Sequence, residues 1–296
     1  MPRNRLTPRF VLYYRTLLFS LLVFFVLTGI FFSHSAAAAD NNFRLRAHQN
    51  NIDANTQSDI EAEIKFGKTI SARILGKFSE YKDEKLKRYV SLVGKALAMN
   101  SSRDEIDFHF TVLDADFINA YSAPGGYIFI TRGAIEAMQD ESELAAVLAH
   151  EVAHITEKHI VKEFKIKGQD DSITAGLSNL LGSSSSSAKV AFTQSVDNAV
   201  NKLINKGFKK SEEIDSDKVA LLLLAATGYD TGAMRRYLKR VKRISQKIQS
   251  RIKNKPTHPP TSKRIKSLKH IAKQEGLNRL KLPRGKTRFK QYVKFQ

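Results

Sequence analysis

Residues 144–154 read Leu-Ala-Ala-Val-Leu-Ala-His-Glu-Val-Ala-His, an apolar run interrupted at its end by His150, Glu151 and His154. Asp140 followed by Glu143 has the spacing of a capping box, so a helix is expected to open there and to run through Leu148, Val152 and Ile155 to about residue 167. Residues four apart on a helix project about 40° from each other. His150 and His154 can therefore address one point. Burying three polar side chains on such an apolar face is costly unless they have partners, which weighs against a solvated charged stripe.

That arrangement points to a metal. The chain has no cysteine, so any transition metal must be held by His, Asp or Glu. Two neutral imidazoles leave zinc short of ligands and charge, and a carboxylate completing a His2Glu set leaves a fourth position for water. Glu151 then stands where it can act as general base on zinc-bound water and pass the proton to a leaving amine. Downstream, Ser211-Glu-Glu-Ile-Asp-Ser-Asp217 is the acidic cluster expected on a helix. Glu213 and Asp217 share a face there, with Glu213 the candidate third ligand and Asp217 a candidate acceptor for a ligand imidazole. Glu212 and Asp215 point elsewhere.

Around this centre, residues 60–74 and 86–97 show the spacing of two amphipathic helices, and Phe108, Phe110 and Val112 alternate with polar residues as in a strand. Pro124-Gly125 suits the centre of a type II turn leading into a second strand. Residues 168–206, with their serine run, read as a mobile flap containing a helix over 188–204. Further helices are expected over 211–227, ending at Gly228, and over 231–252 and 262–274. His109 and His159 are expected to stay out of the metal cluster, His159 because a continuous helix puts it about 140° around from His154.

The ends of the chain differ from its centre. Arg3, Arg5, Arg9 and Arg15 precede an uncharged apolar run over residues 16–32 and a small-residue stretch, the pattern of a secretory signal peptide over residues 1–39. An uncleaved membrane anchor is the alternative, and either form places the rest outside the cytoplasm, in the periplasm, soluble or tethered. Residues 40–57 read as a flexible linker, 58–275 as one catalytic domain and 276–296 as a basic tail. The net charge of +20 is uneven, because residues 231–296 hold 22 Lys or Arg against the single acid Glu275. Such a segment is drawn to an anionic membrane surface. It lacks a nucleic-acid motif, so no nucleic-acid partner is expected.

Four stretches in order, NAYSAPGGYIFITRGAI from Asn119, ESELAAVLAHEVAHITEKH from Glu141, EIDSD from Glu213 and THPPTSKRI from Thr257, resemble the HExxH, gluzincin-like zinc endopeptidases that include the CAAX prenyl proteases, HtpX and BepA. The resemblance covers roughly residues 60–274. It implies a mainly helical α+β fold of zincin type, its active-site helix packed on a small antiparallel sheet. It implies one zinc per chain, with Glu213 and Asp217 filling an E-x-x-x-D motif in which Ser216 replaces the usual Ala. Residues 126–131 would form an edge strand, with Gly126, Tyr127, Ile128 and Phe129 pairing with substrate backbone, while an ordinary hairpin burying Ile128 and Ile130 remains compatible with that role. His258 and Arg264 match an H-P-x-x-x-x-R motif. His258 would occupy the open metal position or steady the tetrahedral intermediate, and Arg264 would anchor its element to a carboxylate. The implied substrates are unfolded or misassembled envelope proteins. A zinc-holding chaperone with little proteolysis, and a module acting through the basic tail, are the other readings.

Overall fold

The computed structural model describes residues 56–166, 186–248, 257–258 and 262–295. The signal segment, most of the expected linker and the serine-rich part of the expected flap lie outside the described residues. Helix α1 (Gln57–Lys77) begins where the linker was expected to end, and Thr56 and Asp59 close a reciprocal capping box at its start. Its buried stripe is Phe66, Ile70 and Ile74, with Ile60 and Ile64 half-buried. Asp83 caps α2 (Glu84–Ala98), which buries Leu86, Val90, Val93 and Leu97 as their spacing requires.

Three strands follow: β1 (His109–Leu113), β2 (Ala120–Ala123) and β3 (Tyr127–Thr131). The order is β1-β3-β2, with β3 parallel to β1 and antiparallel to β2. The sheet is therefore mixed rather than antiparallel. Residues 127–131 form its central strand, hydrogen-bonded on both sides, so the expected edge over 126–129 is not free to accept a substrate backbone. β2 is the strand of that pair that retains an outer edge. The turn between β2 and β3 has Gly125 at φ 71° and Gly126 at φ 91°, both in the region that favours glycine. The turn packs closely on α1, where a Cβ added at Gly67 would lie 1.7 Å from the Pro124 carbonyl oxygen.

Thr131 caps the short α3 (Arg132–Glu136), and Asp140 then opens α4 (Glu141–Thr156), the helix that carries the His-Glu-x-x-His pattern. All sixteen residues of α4 are buried, because α2, β2 and the later helices Lys210–Thr227 and Ala233–Ile248 pack around it. Ala145, Ala146, Ala149 and Ala153 leave room for those close neighbours. The Asp140 side chain accepts from the Glu143 amide at 3.0 Å, as the capping box requires, whereas the Glu143 carboxylate takes the Gln139 amide at 2.9 Å. α4 is shorter than expected. It stops at Thr156, Lys158 turns left-handed at φ 55°, and a separate α5 (His159–Glu163) begins.

Beyond it come α6 (Ser186–Asn201), a π turn (Lys202–Lys206), α7 (Lys210–Thr227), α8 (Ala233–Ile248) and α9 (Ser262–Gln274). Gly228 ends α7 at φ 85°. The C-terminal residues are not an unstructured tail. A 3-10 turn (Leu277–Arg279) packs on α9 and buries Leu277, and α10 (Lys286–Tyr292) folds back onto α2 and α4, burying Phe289 and stacking Tyr292 on Tyr89 at 4.7 Å. Among the described residues, no helix is long and apolar enough to cross a membrane.

Candidate metal centre

α4 and α7 cross so that the His150, His154 and Glu213 side chains meet. The two imidazole Nε2 atoms are 3.1 Å apart, and the Glu213 carboxylate oxygens lie 3.5 Å from His150 Nε2 and 3.6 Å from His154 Nε2. Ligands about 2.0–2.1 Å from a tetrahedral zinc are separated by about 3.3 Å, so these three separations fit one ion. His258 joins them: one donor atom from each of the four residues lies within 4.8 Å of the rest.

The outer nitrogens of both imidazoles are engaged. Asp217 Oδ1 is 3.1 Å from His150 Nδ1, and His159 Nδ1 is 2.9 Å from His154 Nδ1. A proton on His154 Nδ1 satisfies its contact with His159, and the Asp217 carboxylate beside His150 Nδ1 favours one there by charge, which leaves both Nε2 lone pairs aimed at a common point, a donor set suited to a cation. His159 stays out of the four-residue cluster, as expected, but lies directly behind it, closer than a continuous helix would bring it. The break at Lys158 turns its imidazole back toward His154.

Burial presses the Glu213 and Asp217 carboxyls up, but neighbouring charges and hydrogen bonds outweigh it and hold both well below the usual carboxylate range. For Glu213 the leading influences are His258 and the two helix imidazoles, and for Asp217 they are Arg264 and His150. Burial and the Arg264 charge work against protonation of His150, yet Asp217 and Glu213 prevail and raise it to about 9. His154 is lowered, chiefly by burial, which favours the neutral imidazole that binds metals. The pocket therefore favours positive charge among its carboxylates.

Arg264 supplies some of it. Its guanidinium donates to Asp217 at 2.9 and 2.6 Å and lies 2.6 Å from Glu213, anchoring α9 to α7 as its motif implied. His258 Nδ1 is 2.8 Å from Glu213 Oε1, and its Nε2 is 3.6 Å from Glu151 Oε1. Thr257 next to it donates to Asn119 Oδ1 at 2.9 Å. Phe208 stacks on His154 with ring centres 3.9 Å apart, closing the other flank. Glu151 is buried with its Oε2 lacking a hydrogen-bond partner.

Compared with known proteins, residues 83–272 match the sequence profile of peptidase family M48. The chain belongs to that family. Among M48-like relatives, the β-barrel assembly-enhancing protease of Yersinia pestis is 29% identical over 201 residues, covering 65% of this chain and 40% of the relative. The protein of the same name from Escherichia coli K12 is 24% identical over 230 residues, 75% of this chain and 46% of the relative. The mitochondrial metalloendopeptidase OMA1 of Schizosaccharomyces pombe is 26% identical over 200 residues, 64% of this chain and 56% of the relative. The chain thus spans less than half the length of the two bacterial relatives. The matched residues 83–272 of this chain include His150, His154, Glu213 and His258.

Proposed function

We propose that this protein is a zinc-dependent endopeptidase acting outside the cytoplasm on unfolded or misassembled envelope proteins. What carries this reading is the convergence of His150, His154 and Glu213 from two helices beside the buried Glu151 carboxylate. Zinc bound by those three residues would polarise a water and the scissile carbonyl. Glu151 is the general base: its Oε2 has no competing partner, and the proton it accepts is handed to the leaving amine. Asp217 and His159 fix the orientation of the two imidazoles. His258, 3.6 Å from Glu151, serves either as a fourth donor or to steady the tetrahedral intermediate. Water is the nucleophile, so two peptides leave without a covalent enzyme intermediate.

Asn119 and Ala120 line the cavity that also contains His150 and Glu151, which makes the outer edge of β2 the candidate partner for an extended substrate backbone. Such pairing selects unfolded chain. The names of the bacterial relatives refer to β-barrel assembly, in keeping with envelope substrates, and the basic, apolar N-terminus supports export, to the periplasm, soluble or tethered.

The deciding experiment compares the full chain with its Glu151→Gln variant for zinc content and casein hydrolysis. Zinc should stay at one per chain while hydrolysis falls about 100- to 10,000-fold. Undiminished hydrolysis would remove Glu151 from the mechanism, and loss of zinc would assign it to binding instead. The enclosure of the cluster favours a second reading, a zinc-holding chaperone. On that reading the same variant would keep full protective activity toward an aggregating client.

A further inference from the structure

The positive charge of the C-terminal third is organised by α8 and α9. α8 turns Met234, Tyr237, Leu238 and Val241 inward, where all four line the cavity beside His150 and Glu151, and carries Arg235, Lys239, Lys242 and Arg243 on its outer side. α9 repeats the pattern, with Arg264, Leu268 and Ile271 buried and Lys263, Lys266, Lys269 and Lys273 exposed.

Five other cations of this segment are held by acids of the fold: Arg236 and Arg240 by Asp140, Asp230 and Glu143, Arg264 by Asp217 and Glu213, Arg284 by Asp230, and Arg288 by Glu141. Among the described residues, the exposed lysines of α9 pair with no acid.

A cleft of about 540 Å³ opens between these elements, lined by Arg235, Arg236, Lys266, Lys269, Lys273 and Arg284. Asp230 is the one acid on its wall, and Arg236 and Arg284 already hold it at 2.5 and 3.3 Å. Leu280 stands at the rim, 36% exposed.

Lysines are strongly hydrated point charges, suited to a diffuse anionic surface more than to planar, bidentate recognition. Readers of single-stranded nucleic acid need several aromatic stacking platforms, and the cleft offers no Phe, Tyr or Trp, its one ring being the His270 imidazole. An apolar side chain at the rim of a cationic patch suits the boundary between headgroups and acyl chains.

We propose that this cleft and its flanking lysines dock the protein on an anionic phospholipid surface, with headgroup phosphates entering the cleft. The surface is separate from the metal cluster, which α4 and α7 carry, yet the inner sides of α8 and α9 line the cavity beside it. Docking would hold the hydrolytic centre within about one helix diameter, 10–12 Å, of the bilayer surface. Substrates would then be met at the membrane.

The test is cosedimentation of the full chain with phosphatidylglycerol vesicles and with phosphatidylcholine vesicles. The N-terminal segment, with Arg3, Arg5, Arg9 and Arg15, also favours anionic lipid but does so alike in every variant, so the difference between the parent and the α9 variant on anionic vesicles reads the cationic surface. Binding to anionic vesicles is expected, falling steeply from about 0.05 M to about 0.5 M salt as the Debye length shortens.

The K266Q/K269Q/K273Q variant should bind about 100-fold more weakly, at roughly fivefold per lysine. The control variant K85Q/R88Q/K95Q, on α2, should bind like the parent. Metal content should be unchanged in both. Equal binding to the two lipids, or no loss in the α9 variant, would overturn the proposal. So would displacement by millimolar inorganic phosphate, which would make this a small-anion site, or tighter binding to a single-stranded oligonucleotide than to vesicles.

Discussion

His154 takes its orientation from a residue outside its own helix. His159 approaches it at 2.9 Å, and burial lowers the His159 pKa to about 4, so this imidazole is neutral and able to accept a hydrogen bond from the His154 Nδ1–H. Replacing it should loosen the ligand without touching the metal. His159→Ala is expected to weaken zinc affinity about 10- to 100-fold, as loss of an outer partner to a ligating imidazole commonly does. Titration against a chelating dye measures this, and an unchanged affinity would reduce His159 to packing. The sequence revealed His150 and His154 because spacing of four places them on one face, and Glu213 with Asp217 for the same reason. It hid His159 because that reckoning assumed an unbroken helix. A lysine at φ 55° has no signature in sequence, unlike a glycine.

At the level of elements, the helices were easier to read than the sheet. Leu86, Val90, Val93 and Leu97 turn out buried as a 3.6-residue period demands, and α9 spans the residues expected. β2 escaped notice: Ala-Tyr-Ser-Ala is short, small and buried on every residue, so it shows no alternation. Without it, β1 and β3 look like a hairpin. With it, the chain reverses twice and the two become parallel, which moves the free edge from β3 to β2. The turn between β2 and β3 depends on Gly67 of α1 as much as on its own glycines. Gly67→Ala would drive a methyl group into the Pro124 carbonyl and should cost about 1–3 kcal/mol, the usual range for overpacking. Urea denaturation would test it, and a midpoint matching the parent's would show that the turn can move aside.

Across the whole molecule, the C-terminal residues brace the active-site helix. Glu141, the first residue of α4, is fully buried and receives hydrogen bonds from Tyr89 at 2.8 Å and Tyr229 at 2.9 Å, and from Arg288 of α10. Burial alone would raise its pKa, but Arg288 and the two tyrosines outweigh that and hold it below the ordinary 4.5. A depressed carboxyl stabilises the fold above its unfolded pKa, and that contribution drains away as pH falls through the folded value. Denaturant stability should thus decline below about pH 4.5, and Glu141→Gln should remove this part of the decline. Parallel slopes in parent and variant from about pH 6 to about pH 3 would count against the brace. Little of this could be read from sequence, where the last twenty residues show no period and Phe289 stands alone among polar neighbours.

The cavity beside His150 and Glu151 has a volume of about 50 Å³, and both side chains are 1–2% exposed. That is room for a water or two, not for a stretch of polypeptide. On the proposed function, cleavage would then proceed only from molecules that stand open, and the apparent substrate affinity would be the intrinsic one scaled down by their share. If one molecule in about a thousand is open, a tenfold rise in that share speeds turnover of dilute substrate tenfold, with every catalytic atom unchanged.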